Sequence, residues 1–514
     1  MLKKLTFTWL NLNRLVTVIV FVAIFTMAIR YPADHDTWWH LRAGQLMVES
    51  GAILTTDPFS HTQNGQLWVD HGWLAQIIWY EVLAVGGWPA VALALAAIVT
   101  LAFWLTWLQC EGNLYLKAFA LVLAAISASI IWAARPQMVS FLLTALAALI
   151  LYRFKRNSLD QPGRAAAGQS KSMLWAPGNR VLLWLPLIIL LWVNIHGGFA
   201  IAFILMICYA VGEAFNRFTA RENSLNWQPW RHLLLTIFIS LAVVWINPNT
   251  WQMWLYPFRT VGIGVLRDFI AEWQSPNFHQ PIVQPFLLML LLMLAAFARS
   301  GRKVDWTDLA LVGAWTTLSL FAARNVPVFA LVCTPIFVRY ANAALKEQFG
   351  PISLGRARRL SKPVYLLNWL LLGLILLGAA AQTIATLSPQ AIRKAEAERF
   401  PAEAVRFIEE TAPPGPLFNS YNFGGYLIFK LWPAYPVFVD GRTDLYDDAF
   451  LRNYLATVAA LPDWQTQLDD SNIQLIVIEQ NSPLALVLTQ HPGWNKLFED
   501  DQAIIFKRQQ TEKK

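Results

Sequence analysis

Long apolar runs separated by short polar breaks dominate the chain. They fall at roughly 13–29, 88–109, 117–134, 137–152, 180–194, 198–215, 232–246, 285–299, 307–323, 326–341 and 364–386. A helix needs ~20 such residues to cross the hydrocarbon core. The pattern therefore predicts a polytopic α-helical membrane protein of about eleven transmembrane helices. The first run follows Met1 to Arg14 and lacks a small-residue cleavage site after it, so an uncleaved helix is expected. Two stretches break the rhythm. Between 30 and 87, Asp57-Pro58 marks a turn, and the spacing from His71 to Leu83 suits a helix lying along the membrane surface. This loop reads as two interfacial helices joined by a turn. Beyond Leu387 the periodicity changes again: Pro401–Glu410 is helical, Pro436–Asp440 and Leu475–Glu479 look like buried strands, and Ala503–Lys507 like a final strand. The expected organisation is a membrane module over 1–386, including the loop 30–87, and a soluble α/β domain over 387–514. The Ser-, Gly-, Ala- and Pro-containing stretch 157–178 reads as a linker.

Charge then orients the helices. The 514 residues are 56% hydrophobic and only 14% charged, with a net charge of +8. Lys and Arg cluster before the first run (Lys3, Lys4, Arg14), at 153–180, at 217–231, at 299–303 and at 339–362, and none occurs between Arg42 and Lys117. With the helices counted as above, every cluster lands on one side, which the positive-inside bias makes cytoplasmic. The N-terminus is then cytoplasmic, while the loop 30–87 and the tail are extracytoplasmic. The basic balance belongs to this bias, so no nucleic-acid partner is expected. Cys110, Cys208 and Cys333 lie in or beside apolar runs without Cys-x-x-Cys spacing, which suggests neither a disulfide nor a metal site.

The chemistry gathers on the extracytoplasmic side. Asp34, His35, Asp36, His40 and Arg42 crowd the start of the first loop, where ionisable groups are costly unless paired or facing a wet cavity. In an extended segment Asp34 and Asp36 point to one side. Together they could hold a divalent cation, Mg or Mn, or supply a base and its orienting partner. The plainer reading is an N-cap, with Trp38 and Trp39 as interface anchors, but this needs only one Asp and leaves His40 and Arg42 unexplained. Arg135, His196 and Arg324 occupy tight turns on the same side. Arg135 and Arg324 depart from the charge bias, and a guanidinium there suits a lipid phosphate. Snorkelling or pairing with a structural Asp is the alternative. His71 opens the second surface helix and reads as structural before it reads as a ligand or acid. In the tail, Asp440-Gly441-Arg442-Thr443-Asp444 follows a strand, where Asp440, Arg442 and Asp444 either bind an acceptor or form a salt-bridged turn.

These strings, Asp-x-Asp-Thr-Trp-Trp-His-Leu-Arg, Asp-Pro-Phe-Ser, Asn-x-His-Gly-Gly, Ala-Arg-Asn-x-Pro, Gly-Gly-Tyr-Leu and Val-Asp-Gly-Arg-Thr-Asp-Leu-Tyr, together with the layout, resemble the GT-C glycosyltransferase superfamily, in an uncharacterised bacterial branch. The resemblance implies a multi-pass enzyme of the plasma (inner) membrane. It would transfer sugar from a polyprenyl-phosphate or polyprenyl-diphosphate carrier to a glycan, lipid or protein acceptor of the cell envelope, with inversion of the anomeric centre. It places Asp36 or Asp34 as base or metal ligand, with His40 orienting, and Arg135, Arg324, His196 and Arg42 on the lipid phosphate. The Trp-Trp-Asp signature of oligosaccharyltransferases is absent, as is the acidic start of the protein mannosyltransferases. Competing readings are a transporter or flippase of lipid-linked sugars, disfavoured by charges gathered at one surface and no internal repeat, and a silent membrane scaffold.

Overall fold

The computed structural model describes residues 7–160, 177–350 and 361–509; most of the expected linker at 157–178 lies outside them. Each of the eleven apolar runs falls on a helix: α1 (Leu12–Ala28), α3 (Trp73–Trp107), α4 (Leu114–Ala128), α5 (Pro136–Leu159), α6 (Trp184–Val193), α7 (Ala200–Phe218), α8 (Trp227–Val243), α11 (Gln284–Arg299), α12 (Trp306–Phe321), α13 (Val326–Phe349) and α14 (Lys362–Thr386). Helix α2 (Thr37–Ser50) follows α1, and two short helices, α9 (Gln252–Gly262) and α10 (Gly264–Phe269), lie in the connection to α11. Among the described residues six helices are long and apolar enough to cross a membrane, and the chain is a multi-pass membrane protein.

Local chemistry sets the helix ends. Asn113 and Asp305 cap α4 and α12 through their side-chain oxygens, and proline occupies the first turn of α5, α11, α13 and α14. Packing then sorts the helices by depth. The most apolar stretch of α13 is 78% buried within the protein, against 17% for α14, whose Leu367, Leu374 and Leu377 face outward as lipid-facing residues do. Gly212 of α7 lies so close to α12 that a Cβ there would come within 2.4 Å of Thr307 Cα, the close backbone approach that small residues permit between membrane helices.

The 30–87 loop holds two helical stretches. The second is the front of α3, which bends at Gly87 (φ 62°), two residues before Pro89, to enter the bundle. The tail holds a four-stranded sheet in the order β1 (Leu417–Asn419), β2 (Leu475–Glu479), β4 (Ala503–Arg508), β3 (Trp494–Glu499). β1 and β2 are parallel and the other neighbours antiparallel. Helices α15 (Pro389–Ala397), α16 (Ala402–Thr411), α17 (Tyr421–Leu431), α18 (Asp448–Val458), α19 (Trp464–Asp470) and α20 (Pro483–Gln490) surround the sheet.

Two expectations change. Pro436–Asp440 is buried but is not a strand of this sheet. Val437 bonds instead to the first loop, donating to Phe59 O (3.1 Å) and accepting from His61 N (3.0 Å). Trp38 and Trp39 are not interface anchors: they are 1% and 5% exposed and share one core with Phe400, Tyr426 and Leu427 of the tail. Loop and tail are therefore packed as a unit over one end of the bundle.

Candidate active site

Beyond α1 the chain runs extended into Asp34, tied to the α4–α5 turn by Ala134 N–H donating to Pro32 O (2.8 Å). Asp34 does the capping work at α2. Its Oδ1 accepts from Thr37 N (3.0 Å), Thr37 Oγ1 (2.8 Å) and Asp36 N (3.2 Å). Asp36 caps nothing; its Oδ1 accepts only from Trp39 Nε1 (3.3 Å). Both carboxylates turn their second oxygen to Arg135, at the N-cap of α5. Arg135 Nε lies 2.9 Å from Asp34 Oδ2, off the N–H axis, and Nη1 bonds Asp36 Oδ2.

The third guanidinium nitrogen, Nη2, reaches Glu272 Oε2 at 3.1 Å, on the 247–284 connection. Arg324 in turn lies 3.7 Å from Glu272 Oε1 and covers the Trp273 ring at 4.1 Å. The Asp34, Asp36 and Glu272 side chains keep 25–30% of their surface accessible and Arg135 14%, so the cluster is enclosed yet wet. Burial, with Asp34 and Glu272 nearby, pushes the Asp36 carboxyl up to about 6 against the pull of Arg135. Glu272 goes the other way: burial would raise it, but Arg135 and Arg324 hold it below the usual range.

The tail closes the site from above. A Cβ on Gly425 would fall 2.3 Å from the backbone oxygen of His35, an approach only glycine permits, and one on Gly441 would fall 1.8 Å from Asp36 Oδ1 and would have to push that carboxylate aside. His35 Nδ1 meets Asn422 O at 2.9 Å. On the bundle side, Gly198 N–H donates to His196 Nδ1 (3.0 Å), which leaves the proton of the neutral ring on Nε2. His196 faces His71 (ring centroids 5.5 Å), which stacks on Tyr256 at 4.3 Å. Burial lowers the pKa of both imidazoles, so they stay neutral. Asp70 is buried, accepts from Gly72 N (3.0 Å) and Gln76 Nε2 (2.8 Å), and is pushed up to about 7 by burial.

The sequence-predicted residues thus divide. Asp34, Asp36, Arg135 and Arg324 come together, with His196 on the same wall. The His40 ring is buried behind them against Gln76 (3.3 Å) and bonds neither carboxylate. Arg42 points away from Arg135, bonding Gln45 Oε1 (2.7 Å) and Trp432 O (3.2 Å) and covering the Trp432 ring, so it holds loop to tail. Asp440 and Arg442 have no accessible surface. Arg442 bonds Asp57 (2.6 Å) and Asp440 (2.6 and 2.8 Å), which makes the Asp-Gly-Arg string a buried bolt, the salt-bridged turn of the two readings. Asp444 is exposed. Sequence reasoning missed Glu272, whose one signal was a carboxylate in an aromatic stretch, and Gly441, whose role needs the approach of two distant segments.

The fit of a divalent cation follows from the same contacts. The oxygens of Asp34, Asp36 and Glu272 that face one another are engaged by one guanidinium, and no cluster of three His, Cys, Asp or Glu able to hold a metal occurs among the described residues. The residues as placed suit an arginine rather than a metal ion.

No protein-family model and no curated protein matches the chain. Solved structures do. The oligosaccharyltransferase of Archaeoglobus fulgidus tethered to an acceptor peptide superposes with a TM-score of 0.55 at 13% identity, over 98% of this chain and 75% of its own. The same archaeal enzyme, AglB, with an inhibitory peptide and a dolichol-phosphate gives 0.53 at 12% identity, over 97% and 74%. ArnT of Cupriavidus metallidurans bound to undecaprenyl phosphate gives 0.48 at 14% identity, over 96% and 97%. At such identities the likeness is one of architecture: the chain has a GT-C-like fold.

Proposed function

We propose that the chain is a membrane glycosyltransferase that takes a sugar from a polyprenyl-phosphate or polyprenyl-diphosphate donor and passes it to a cell-envelope acceptor on the extracytoplasmic face. What supports this most is the placement of Asp36, a carboxylate that caps no helix and lies beside Arg135 in an enclosed wet site where the first loop, the tail and the bundle meet, with burial raising it to about 6. Asp36 accepts the acceptor's proton as its oxygen attacks the anomeric carbon, and Asp34, fixed by its bonds to the start of α2, holds the segment in register. Arg324, its guanidinium only loosely paired, and the Nε2–H of His196 face the departing phosphate. A cavity of about 260 Å³ beside Asp34, lined by His35, Glu398, Arg399 and Gln502, offers a polar acceptor its place. The reading is supported by the related fold of the archaeal oligosaccharyltransferase, whose structures hold an acceptor peptide in one case and an inhibitory peptide with a dolichol-phosphate in another.

Purified protein given polyprenyl-phosphate sugars, wild type beside Asp36→Asn, tests the reading. Sugar transfer or release by wild type alone supports it. Passage of unchanged donor across a vesicle bilayer by both proteins alike would instead make this a transporter.

A further inference from the structure

Three carboxylates from two segments converge here: Asp34 and Asp36 from the start of the first loop, and Glu272 from the 247–284 connection. In a site open to a hard divalent ion, that ion would take an oxygen from each. Arg135 takes them instead: Nη1 bonds Asp36, Nη2 bonds Glu272 (3.1 Å), and Nε lies 2.9 Å from Asp34 Oδ2 as an ion pair off the N–H axis, one nitrogen facing each acid. We propose that the Arg135 guanidinium is the resident cation of this site, standing where a divalent metal would sit and leaving no place for one.

The backbone supports this role. Arg135 sits in extended conformation at the N-cap of α5, immediately before Pro136, and the turn is held by Arg135 N–H donating to Ala133 O (2.8 Å). Its side chain therefore enters the cluster from a fixed origin. A guanidinium keeps its charge at any working pH and has a planar fork of donors suited to several carboxylates at once. Charge counting agrees. Asp34, Asp36 and Glu272 against Arg135 and Arg324 leave one net negative charge with both arginines in place, too little to balance a divalent ion. A metal entering beside it would place two cations on the same oxygens. A metal displacing it would strand a guanidinium that is only 14% exposed.

The test reads ion binding and so stands apart from the transfer reaction above. Full-length protein in nanodiscs is titrated with Mn²⁺, and free ion is followed by electron paramagnetic resonance. Wild type is expected to take up no stoichiometric Mn²⁺. Arg135→Ala is expected to gain one site at least about tenfold tighter than anything in wild type, and Asp36→Asn in that background to lose it. Arg135→Gln serves where the alanine variant fails to fold. Stoichiometric Mn²⁺ uptake by wild type that Asp36→Asn abolishes would overturn the proposal. So would a folded Arg135→Ala or Arg135→Gln protein that gains no site.

Discussion

Arg442 offers the sharpest test of how loop and tail are joined. It has no accessible surface and is held between Asp57 of the first loop and Asp440 of the tail, with its charge over the rings of Trp68 (4.8 Å) and Phe59 (5.2 Å). Tyr446 OH donates to Asp440 (2.9 Å) and the amides of Phe59 and Ser60 to Asp57 (2.9 and 3.1 Å), so both acids keep neutral donors if the arginine is lost. Arg442→Met removes the cation and leaves two carboxylates in a dry space. Breaking one buried pair costs roughly 3–5 kcal/mol. Two acids sharing one arginine put this case near the upper end, limited because one of them can take up a proton. At about 2–4 °C per kcal/mol for a cooperative body of ~150–250 residues, the melting temperature falls by about 10 °C or more. Tryptophan fluorescence on heating in detergent reads the shift, and protease cleavage within 51–72 reads the loosened loop. The triple variant Asp57→Asn, Asp440→Asn, Arg442→Met leaves no buried charge and recovers at least half the loss. A single variant that melts within ~2 °C of wild type, or a triple variant no better than the single, would refute the reasoning.

Further outcomes follow from the site. Gly441→Ala places a methyl on the Asp36 carboxylate, whose side chain can swing aside; melting stays within a few degrees while transfer falls at least about 100-fold, and unchanged turnover would remove Gly441 from the site. Because the base must be ionised, log rate falls by about one per pH unit below about 6, the value to which Asp36 is raised. Glu272→Gln removes a negative neighbour that raises Asp36, so the acid limb moves to lower pH; a limb that stays put or moves up contradicts the assignment. Arg324→Ala weakens the lipid-phosphate donor, raising its KM by about tenfold or more with the acceptor KM unchanged. Equal effects on both would point to lost structure instead.

Much of the fold was legible because the bilayer imposes length and hydropathy on each helix separately, without reference to its neighbours. All eleven runs fall on helices, and the loop holds two helical stretches joined by a turn-rich segment. Asp34, Asp36, Arg135 and Arg324 could be picked out for a similar reason: a charge at a membrane exit is costly, so its presence is itself a signal. What the sequence left open were the pairings. Asp34 and Asp36 looked alike as neighbours, yet the bonds of Asp34 to Thr37 make one a cap and free the other. Asp440 and Arg442 read equally as acceptor ligands or as a turn until Asp57, nearly four hundred residues earlier, arrived to bury them. Pro436–Asp440 had the apolar pattern of a strand, but pattern names only a buried face, and its partner proved to be the first loop. Glu272 carried no motif at all. Its part was assigned only when the 247–284 connection brought it to Arg135, because a carboxylate's role is set by the charge it meets in space.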